Sequence, residues 1–166
     1  MDDISSFSVL KPPSLILPPI VFARVVPGIY RSAYPASKSL PFIDSLHLKS
    51  MVSLLDKPSE VKKELRDYCH THGITMIECP VGLNQEPFVT MSEFAVKEAI
   101  EFISNPINHP VMVFCTTGRS KTSVVIGCYR RLQLGWSISS MVHEYEQYMD
   151  PDGGVADMAF MENLGE

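Results

Sequence analysis

The feature that most constrains the fold is an apolar run that ends in a cysteine and continues through a short polar loop into a second apolar segment. Residues 111–126 read VMVFCTTGRSKTSVVI, with Cys115 at the end of the first run. Apolar residues in this arrangement predict a buried strand and then, from Thr122, a helix. A loop between a strand and a helix N-terminus directs backbone N–H groups inward and favours an anion. We therefore predict an anion-binding loop with Cys115 at its entrance.

The other predicted elements alternate between strands and helices. Residues 21–26 and 29–31 flank the turn signal Pro27-Gly28 and predict an antiparallel edge pair. Later strands alternate with helices, and this order calls for an α/β fold with a central, mostly parallel sheet flanked by helices. Thr90 and Glu93 have the spacing of a capping box at the start of a helix. The remaining predicted strands cover residues 49–55 and 74–79, and the helices cover residues 40–46, 60–72 and 122–134.

Length and proline content divide the chain into two parts. A chain of 166 residues is long enough for one domain with a substantial core, which we assign to residues 21–166. Residues 1–20 contain two Pro-Pro pairs, which exclude a helix and predict an extended proline-rich arm. Leu15, Ile16 and Leu17 of this arm are expected to lie on the domain.

Charge and hydropathy exclude several classes of partner. The net charge of -5 argues against a nucleic-acid partner held through phosphate contacts. No run approaches the ~18 apolar residues of a membrane span. The acidic start of the chain lacks the basic region of a signal peptide, so we expect a cytoplasmic protein.

The four cysteines are expected to be reduced thiols, although an even number also permits two disulfides. The chain is neither small nor rich in loops, as disulfide scaffolds usually are. No Cys-x-x-Cys pair is present, and the five histidines form no zinc pattern with the cysteines. We expect no metal and no cofactor.

Several motifs outside the cysteine loop resemble those of one known family. Gly-Ile-Tyr-Arg-Ser at residues 28–32 is similar to the family's opening motif. Asn-Gln-Glu-Pro-Phe at residues 84–88 matches its Asn-x-Glu-Pro-Phe loop. Over residues 22–164 the chain resembles the plant and fungal atypical dual-specificity phosphatases. This branch of the protein-tyrosine-phosphatase superfamily includes inositol pyrophosphate phosphatases.

The cysteine loop departs from the signature of that family. The signature reads His-Cys-x-x-Gly-Lys-His-Arg-Thr-Gly, whereas residues 114–123 read FCTTGRSKTS. Phe114 replaces the histidine, and Ser123 replaces the last glycine. The lysine and arginine are exchanged, which places Arg119 and Lys121 in the loop. Lysine is a point charge, whereas arginine binds two phosphoryl oxygens through a planar fork.

The resemblance implies a cysteine-phosphatase (dual-specificity) fold and assigns roles to the loop. Cys115 would attack phosphorus, Lys121 would neutralise the phosphoryl group, and Thr122 would assist its departure from the thiol. Five further residues would bind phosphate, namely Thr116, Thr117, Gly118, Arg119 and Ser120.

A proton donor for the leaving group is less evident. The candidates for a general acid or a loop contact are Glu86, Asp56 and Asn84. An inositol pyrophosphate loses a phosphate, which is a better leaving group than an alkoxide and needs less help from an acid. The pattern therefore favours a phosphoanhydride substrate over phosphotyrosine.

Two functions follow from these features. The first is a cysteine-dependent phosphatase that forms a phosphocysteine, acts on inositol pyrophosphates or a phosphoprotein, and is weakened by Lys121 at the usual arginine position. The second is an inactive pseudophosphatase that binds inositol phosphates or partner proteins, including related family members. The partner is a phosphorylated small molecule or a phosphoprotein in the first case.

Overall fold

A five-stranded sheet organises the molecule, of which the computed structural model describes residues 15–149 and 154–165. The strands are β1 (Ala23–Val26), β2 (Ile29–Ala33), β3 (Ser50–Ser53), β4 (Thr75–Glu78) and β5 (Val111–Cys115). Their order across the sheet is β1-β2-β5-β3-β4. β1 is antiparallel to β2, and the other pairings are parallel. The predicted edge pair and mostly parallel sheet are confirmed.

Helices cover both faces of the sheet. They are α1 (Leu40–Asp44), α2 (Lys63–Thr71), α3 (Glu93–Ser104), α4 (Ser120–Leu134), α5 (Ile138–Tyr148) and α6 (Val155–Asn163). Short 3₁₀ turns occupy Ser37–Ser39, Pro58–Glu60 and Pro106–Asn108. α4 contacts α3, α5 and α6. Its buried residues run from Thr122 to Arg130, so the prediction of a central helix is confirmed.

β5 lies in the middle of the sheet, and all five of its residues are buried. Alternate residues of a strand face opposite sides of the sheet. Val111, Val113 and Cys115 accordingly join the hydrophobic cluster on the side of α3 to α6. Met112 and Phe114 join the cluster that contains residues of α1 and α2. The carboxyl ends of β2, β5 and β3 meet at one edge, which is where open α/β sheets bind ligands.

The predicted proline-rich arm lies largely outside the described residues. Residues 15–19 form neither helix nor strand. Leu15, Ile16 and Leu17 are 80%, 55% and 41% exposed. Leu15 and Ile16 are thus largely exposed, and Leu17 is about half covered.

The predicted capping box of α3 is wrong by two residues. Ser92 is the N-cap, and its hydroxyl accepts a hydrogen bond from the Ala95 N–H at 3.2 Å. The side-chain oxygen of Asn84 accepts the N–H groups of Thr90 and Met91, each at 2.8 Å. Asn84, six and seven residues before them, thus binds the N–H groups of these two residues, which precede the helix.

Candidate active site

The cysteine loop connects the end of β5 to the start of α4. Cys115 pairs with Ala33 of the neighbouring strand β2 and is 3% exposed. The Gly118 N–H donates to the Cys115 sulfur over an N to Sγ distance of 3.2 Å. α4 begins at Ser120, directly after the loop. The structure therefore gathers the predicted phosphate-binding residues into one turn around the thiol at a helix N-terminus.

Gly118 presses this loop against the end of β2. Its φ of +71° lies in the left-handed region that favours glycine. A Cβ at this position would be 2.4 Å from the backbone nitrogen of Ala33. The loop thus has both a backbone conformation and a packing distance that exclude any side chain at this point.

Thr122 lies in the first turn of α4 and is fully buried. Among the residues that the structure describes, its hydroxyl oxygen has no hydrogen-bond partner. Leaving a buried hydroxyl unpaired costs about 1–3 kcal/mol. Such an unpaired hydroxyl next to an anion-binding loop is compatible with the role that the family resemblance implies for Thr122.

The two loop cations have partners in other elements. The Lys121 ammonium lies 2.7 Å from a carboxylate oxygen of Asp56, and the Lys121 side chain is only 14% exposed. A guanidinium nitrogen of Arg119 donates to the backbone carbonyl of Tyr148 at 3.0 Å. Asp56, a candidate acid in the sequence, is therefore positioned at the site as the ion-pair partner of Lys121.

Phe114 occupies the position of the signature histidine and is fully buried. Its ring meets the ring of Tyr34 edge-on, with centroids 5.7 Å apart and an interplanar angle of 85°. The backbone N–H of Tyr34 donates to the Thr116 carbonyl at 3.4 Å. The substitution thus replaces a polar neighbour of the thiol by an aromatic contact between β5 and the segment that follows β2.

Asn84 and Glu86 attach their loop to α6. The Asn84 amide donates to a carboxylate oxygen of Asp157 at 2.8 Å. A carboxylate oxygen of Glu86 accepts the N–H of Ala156 at 2.8 Å, where the helix dipole favours a negative charge. The structure thus places both side chains in contacts between their loop and α6, with one Glu86 oxygen engaged at a helix end.

Asp157 is a buried junction that sequence reasoning missed. It is 4% exposed and accepts hydrogen bonds from three elements. Besides Asn84, the Tyr145 hydroxyl donates to it at 2.8 Å and the Ser120 hydroxyl at 3.3 Å. Burial and this bond to Asp157 raise the pKa of Tyr145, so the protonated phenol is the donor. An acid in the first turn of the otherwise largely apolar α6 was the available signal, but its partners lie 12, 37 and 73 residues away.

Replacing Asp157 by asparagine is expected to lower the free energy of unfolding by about 1–3 kcal/mol. The amide nitrogen takes the place of one acceptor oxygen and cannot accept the bonds that the carboxylate receives. Urea denaturation measures the effect. Glu162→Gln makes the same chemical change at a partly exposed position of α6 and should cost less than about 0.5 kcal/mol. Equal losses in the two variants would contradict the assignment.

Arg31 is a second residue that sequence reasoning did not select, although it lies in the quoted motif at residues 28–32. Its side chain is 1% exposed. One guanidinium nitrogen donates to the Gly118 carbonyl at 2.8 Å and to the Ser123 hydroxyl at 2.7 Å. The guanidinium carbon lies 3.6 Å from the centroid of the Tyr148 ring. Arg31 thus joins β2 to the cysteine loop, to α4 and to the end of α5.

All four cysteines are free and buried. Burial raises the pKa of Cys69 to about 11 and the pKa of Cys79 and Cys128 to about 12. These three thiols therefore stay protonated at neutral pH. In the described part of the chain, no group of three or more His, Cys, Asp or Glu side chains is placed to hold a metal ion. None of the described helices combines the length and the apolar character needed to cross a membrane.

A mostly parallel sheet that delivers a cysteine to a loop at a helix N-terminus defines the class of cysteine-dependent phosphatase domains. The chain belongs to the tyrosine phosphatase family, whose profile matches residues 16–166. The resemblance to the inositol pyrophosphate phosphatase branch is confirmed by its relatives and by their structures.

Two plant relatives and one solved structure illustrate the likeness. The chain is 35% identical over 148 residues to inositol diphosphatase DSP1 of Oryza sativa subsp. japonica, covering 89% of this chain and 65% of that protein. It is 33% identical over 148 residues to inositol diphosphatase DSP4 of Arabidopsis thaliana, covering 89% and 73%. The core catalytic domain of the PP-IP phosphatase SIW14 from S. cerevisiae, crystallised with citrate, superposes with a TM-score of 0.80 at 30% identity, covering 90% of this chain and 88% of that one.

Proposed function

We propose that the chain is a cysteine-dependent phosphatase that cleaves the phosphoanhydride bond of inositol pyrophosphates through a phosphocysteine. The observation that carries the proposal is the position of the Cys115 sulfur, 3.2 Å from the Gly118 nitrogen in a loop that opens α4. The relatives named as inositol diphosphatases support the same substrate class.

The reaction needs two displacements at phosphorus. The Cys115 thiolate attacks the terminal phosphorus, an S–P bond forms, and the P–O bond to the inositol phosphate breaks. Backbone N–H groups of residues 116–121 stabilise the charge on the phosphoryl oxygens. Water then attacks phosphorus, the S–P bond breaks, and the Thr122 hydroxyl donates to the departing sulfur. The products are inorganic phosphate and an inositol phosphate with one phosphate fewer.

The carboxylates near the site support a phosphoanhydride over a phosphotyrosine substrate. Asp56 is held by Lys121 at 2.7 Å, and Glu86 is held by the Ala156 N–H at 2.8 Å. Each has one oxygen engaged, which disfavours it as a proton donor. A phosphate leaving group departs readily as an anion and depends less on that proton than the phenolate of tyrosine does.

Phosphate release is expected to favour a diphosphoinositol polyphosphate over a phosphotyrosine peptide by at least ~10² in kcat/KM, because general acid catalysis typically contributes that much. Both substrates should be assayed with the same preparation over a range of enzyme concentrations. Equal rates, or a preference for the peptide, would contradict the proposed substrate.

The second candidate is a pseudophosphatase that binds an inositol phosphate or a related family member without turnover. The observation in its favour is the Lys121 to Asp56 ion pair, since it neutralises the residue that stands in the arginine position. No turnover by the unmodified protein, together with turnover by Lys121→Arg, would favour this candidate over the first. Turnover by the unmodified protein that is lost in Cys115→Ser would exclude it.

A further inference from the structure

Arg31 has a position that the proposed reaction does not use. Its guanidinium lies on the inner side of the cysteine loop, where it donates to the Gly118 carbonyl at 2.8 Å. In a trans peptide the carbonyl and the next N–H point in opposite directions. Fixing the Gly118 carbonyl toward Arg31 therefore turns the Arg119 N–H away from Arg31. This contact sets the orientation of one of the amides in the predicted phosphate cradle.

The charge of Arg31 is buried and lacks a directly bonded acid. Burial lowers the pKa of Arg31 to about 10, so the side chain is still cationic at neutral pH. Its hydrogen-bond acceptors are two neutral oxygen atoms, those of Gly118 and Ser123. Among the described residues, no carboxylate forms an ion pair with it, and its Nε has no hydrogen-bond partner. Burying a cation without a directly bonded anion is costly, so this position favours an anion in the loop above it.

Lys121 differs from Arg31 in this respect. Its ammonium lies 2.7 Å from Asp56, so its charge is already balanced within the protein. Arg31 is held instead by uncharged groups, including the face of the Tyr148 ring at 3.6 Å. Lys121 belongs to the loop, but its charge is paired with Asp56. Arg31 is distant in the sequence, and it contacts the loop without a directly bonded carboxylate.

Ser123 gives this arrangement a feature particular to the present chain. The family signature has glycine at this position, and glycine offers no side-chain acceptor. Here the Ser123 hydroxyl accepts the second bond of the Arg31 nitrogen at 2.7 Å. The substitution therefore ties the same guanidinium to the first turns of α4 as well as to the loop.

We propose that Arg31 is a positioning residue for the cysteine loop, which orients the peptide after Gly118 and supplies a buried positive charge beneath the bound phosphate. The inference rests on the anion-binding part of the proposed function and is independent of turnover. It places a cation that serves phosphate binding on β2, 87 residues before Gly118.

Protection of Cys115 by inorganic phosphate tests this role in the full chain. Iodoacetamide alkylation of Cys115 is followed at increasing phosphate concentration, and the concentration giving half protection is recorded. The Cys115→Ser protein gives the background from the other thiols. In Arg31→Met this concentration should rise about tenfold, which corresponds to the loss of one charge-assisted interaction. Arg31→Lys keeps the charge but not both hydrogen bonds, so in this variant the phosphate concentration that gives half protection should rise about threefold.

Ser123→Gly is the matched control because it removes one acceptor and leaves the Arg31 charge in place. Its half-protection concentration should change by less than about threefold. A folded Arg31→Met protein with unchanged half protection would overturn the proposal. If Arg31→Met does not fold, an unchanged value in Arg31→Lys would overturn it equally. Phosphate protection without turnover in the unmodified protein would refute the proposed phosphatase activity and leave the role of Arg31 intact.

Discussion

Replacing Cys115 by serine should lower the rate of phosphate release from a diphosphoinositol polyphosphate by at least ~10⁴-fold, because removing an enzyme's nucleophile lowers kcat by at least this much. Serine keeps the size and the hydrogen-bonding capacity of the side chain, but its hydroxyl is not ionised at neutral pH. No other thiol can take its place, since Cys115 alone among the four cysteines ends β5. The measurement is the initial rate of phosphate release at saturating substrate.

Cys69→Ser is the matched control for this variant. Cys69 is also free and buried, but it lies on α2, in the cluster on the opposite face of the sheet. Its replacement should reduce stability and leave the rate per folded molecule within about twofold. Calorimetry should show that Cys115→Ser still binds phosphate, because the loop amides remain. Residual turnover near the unmodified rate would contradict a phosphocysteine mechanism.

Replacing Gly118 by alanine should displace the cysteine loop and lower the free energy of unfolding by about 2–4 kcal/mol, combining the cost of a left-handed backbone with that of overpacking. The new Cβ would lie 2.4 Å from the Ala33 nitrogen and 2.7 Å from the Ser32 carbonyl carbon. Because both contacts are with backbone atoms, neither can be relieved by rotating a side chain. Phosphate protection of Cys115 and turnover should both fall by at least ~10²-fold.

Gly135→Ala separates the two causes of this loss. Gly135 follows α4 with a φ of +67°, and a Cβ there would meet no atom within 4 Å. This variant should therefore cost only the backbone term, about 1–2 kcal/mol, and leave phosphate protection unchanged. Urea denaturation of both variants gives the comparison. If Gly118→Ala and Gly135→Ala lose equal stability and Gly118→Ala still binds phosphate, the conformation of the loop does not depend on the close packing of Gly118 against β2.

The sequence was sufficient for the sheet and for the strand that ends at Cys115, since these depend on local patterns. Alternating strands and helices predicted the mostly parallel sheet, and the apolar run from Thr122 predicted the buried helix α4. The predicted site residues of the cysteine loop are neighbours in the chain, so their proximity required no long-range information.

Long-range contacts explain what the sequence could not provide. Arg31 reaches Gly118 over 87 residues, and Asp157 reaches Asn84 over 73 residues. Neither residue belongs to a motif with a fixed spacing to the cysteine. Lys121 was predicted as a phosphate ligand and Asp56 as a candidate acid, but their pairing emerges only when the end of β3 lies beside α4. The N-cap of α3 was misplaced for a different, local reason: two candidate hydroxyls lie two residues apart, and Asn84 binds the N–H groups of Thr90 and Met91 before the helix begins at Glu93.

The junction at Asp157 also has a consequence for the order in which the protein can fold. The sheet that carries Cys115 is complete once residue 115 has been synthesised, but Ser120 and Asn84 bind Asp157, which comes later in the chain. These two contacts can form only after Asp157 itself has been synthesised. A nascent chain that stops short of α6 would therefore present the thiol on a folded sheet before Ser120 and Asn84 have formed their hydrogen bonds with Asp157. We expect the cysteine to be most vulnerable to oxidation during that interval of synthesis.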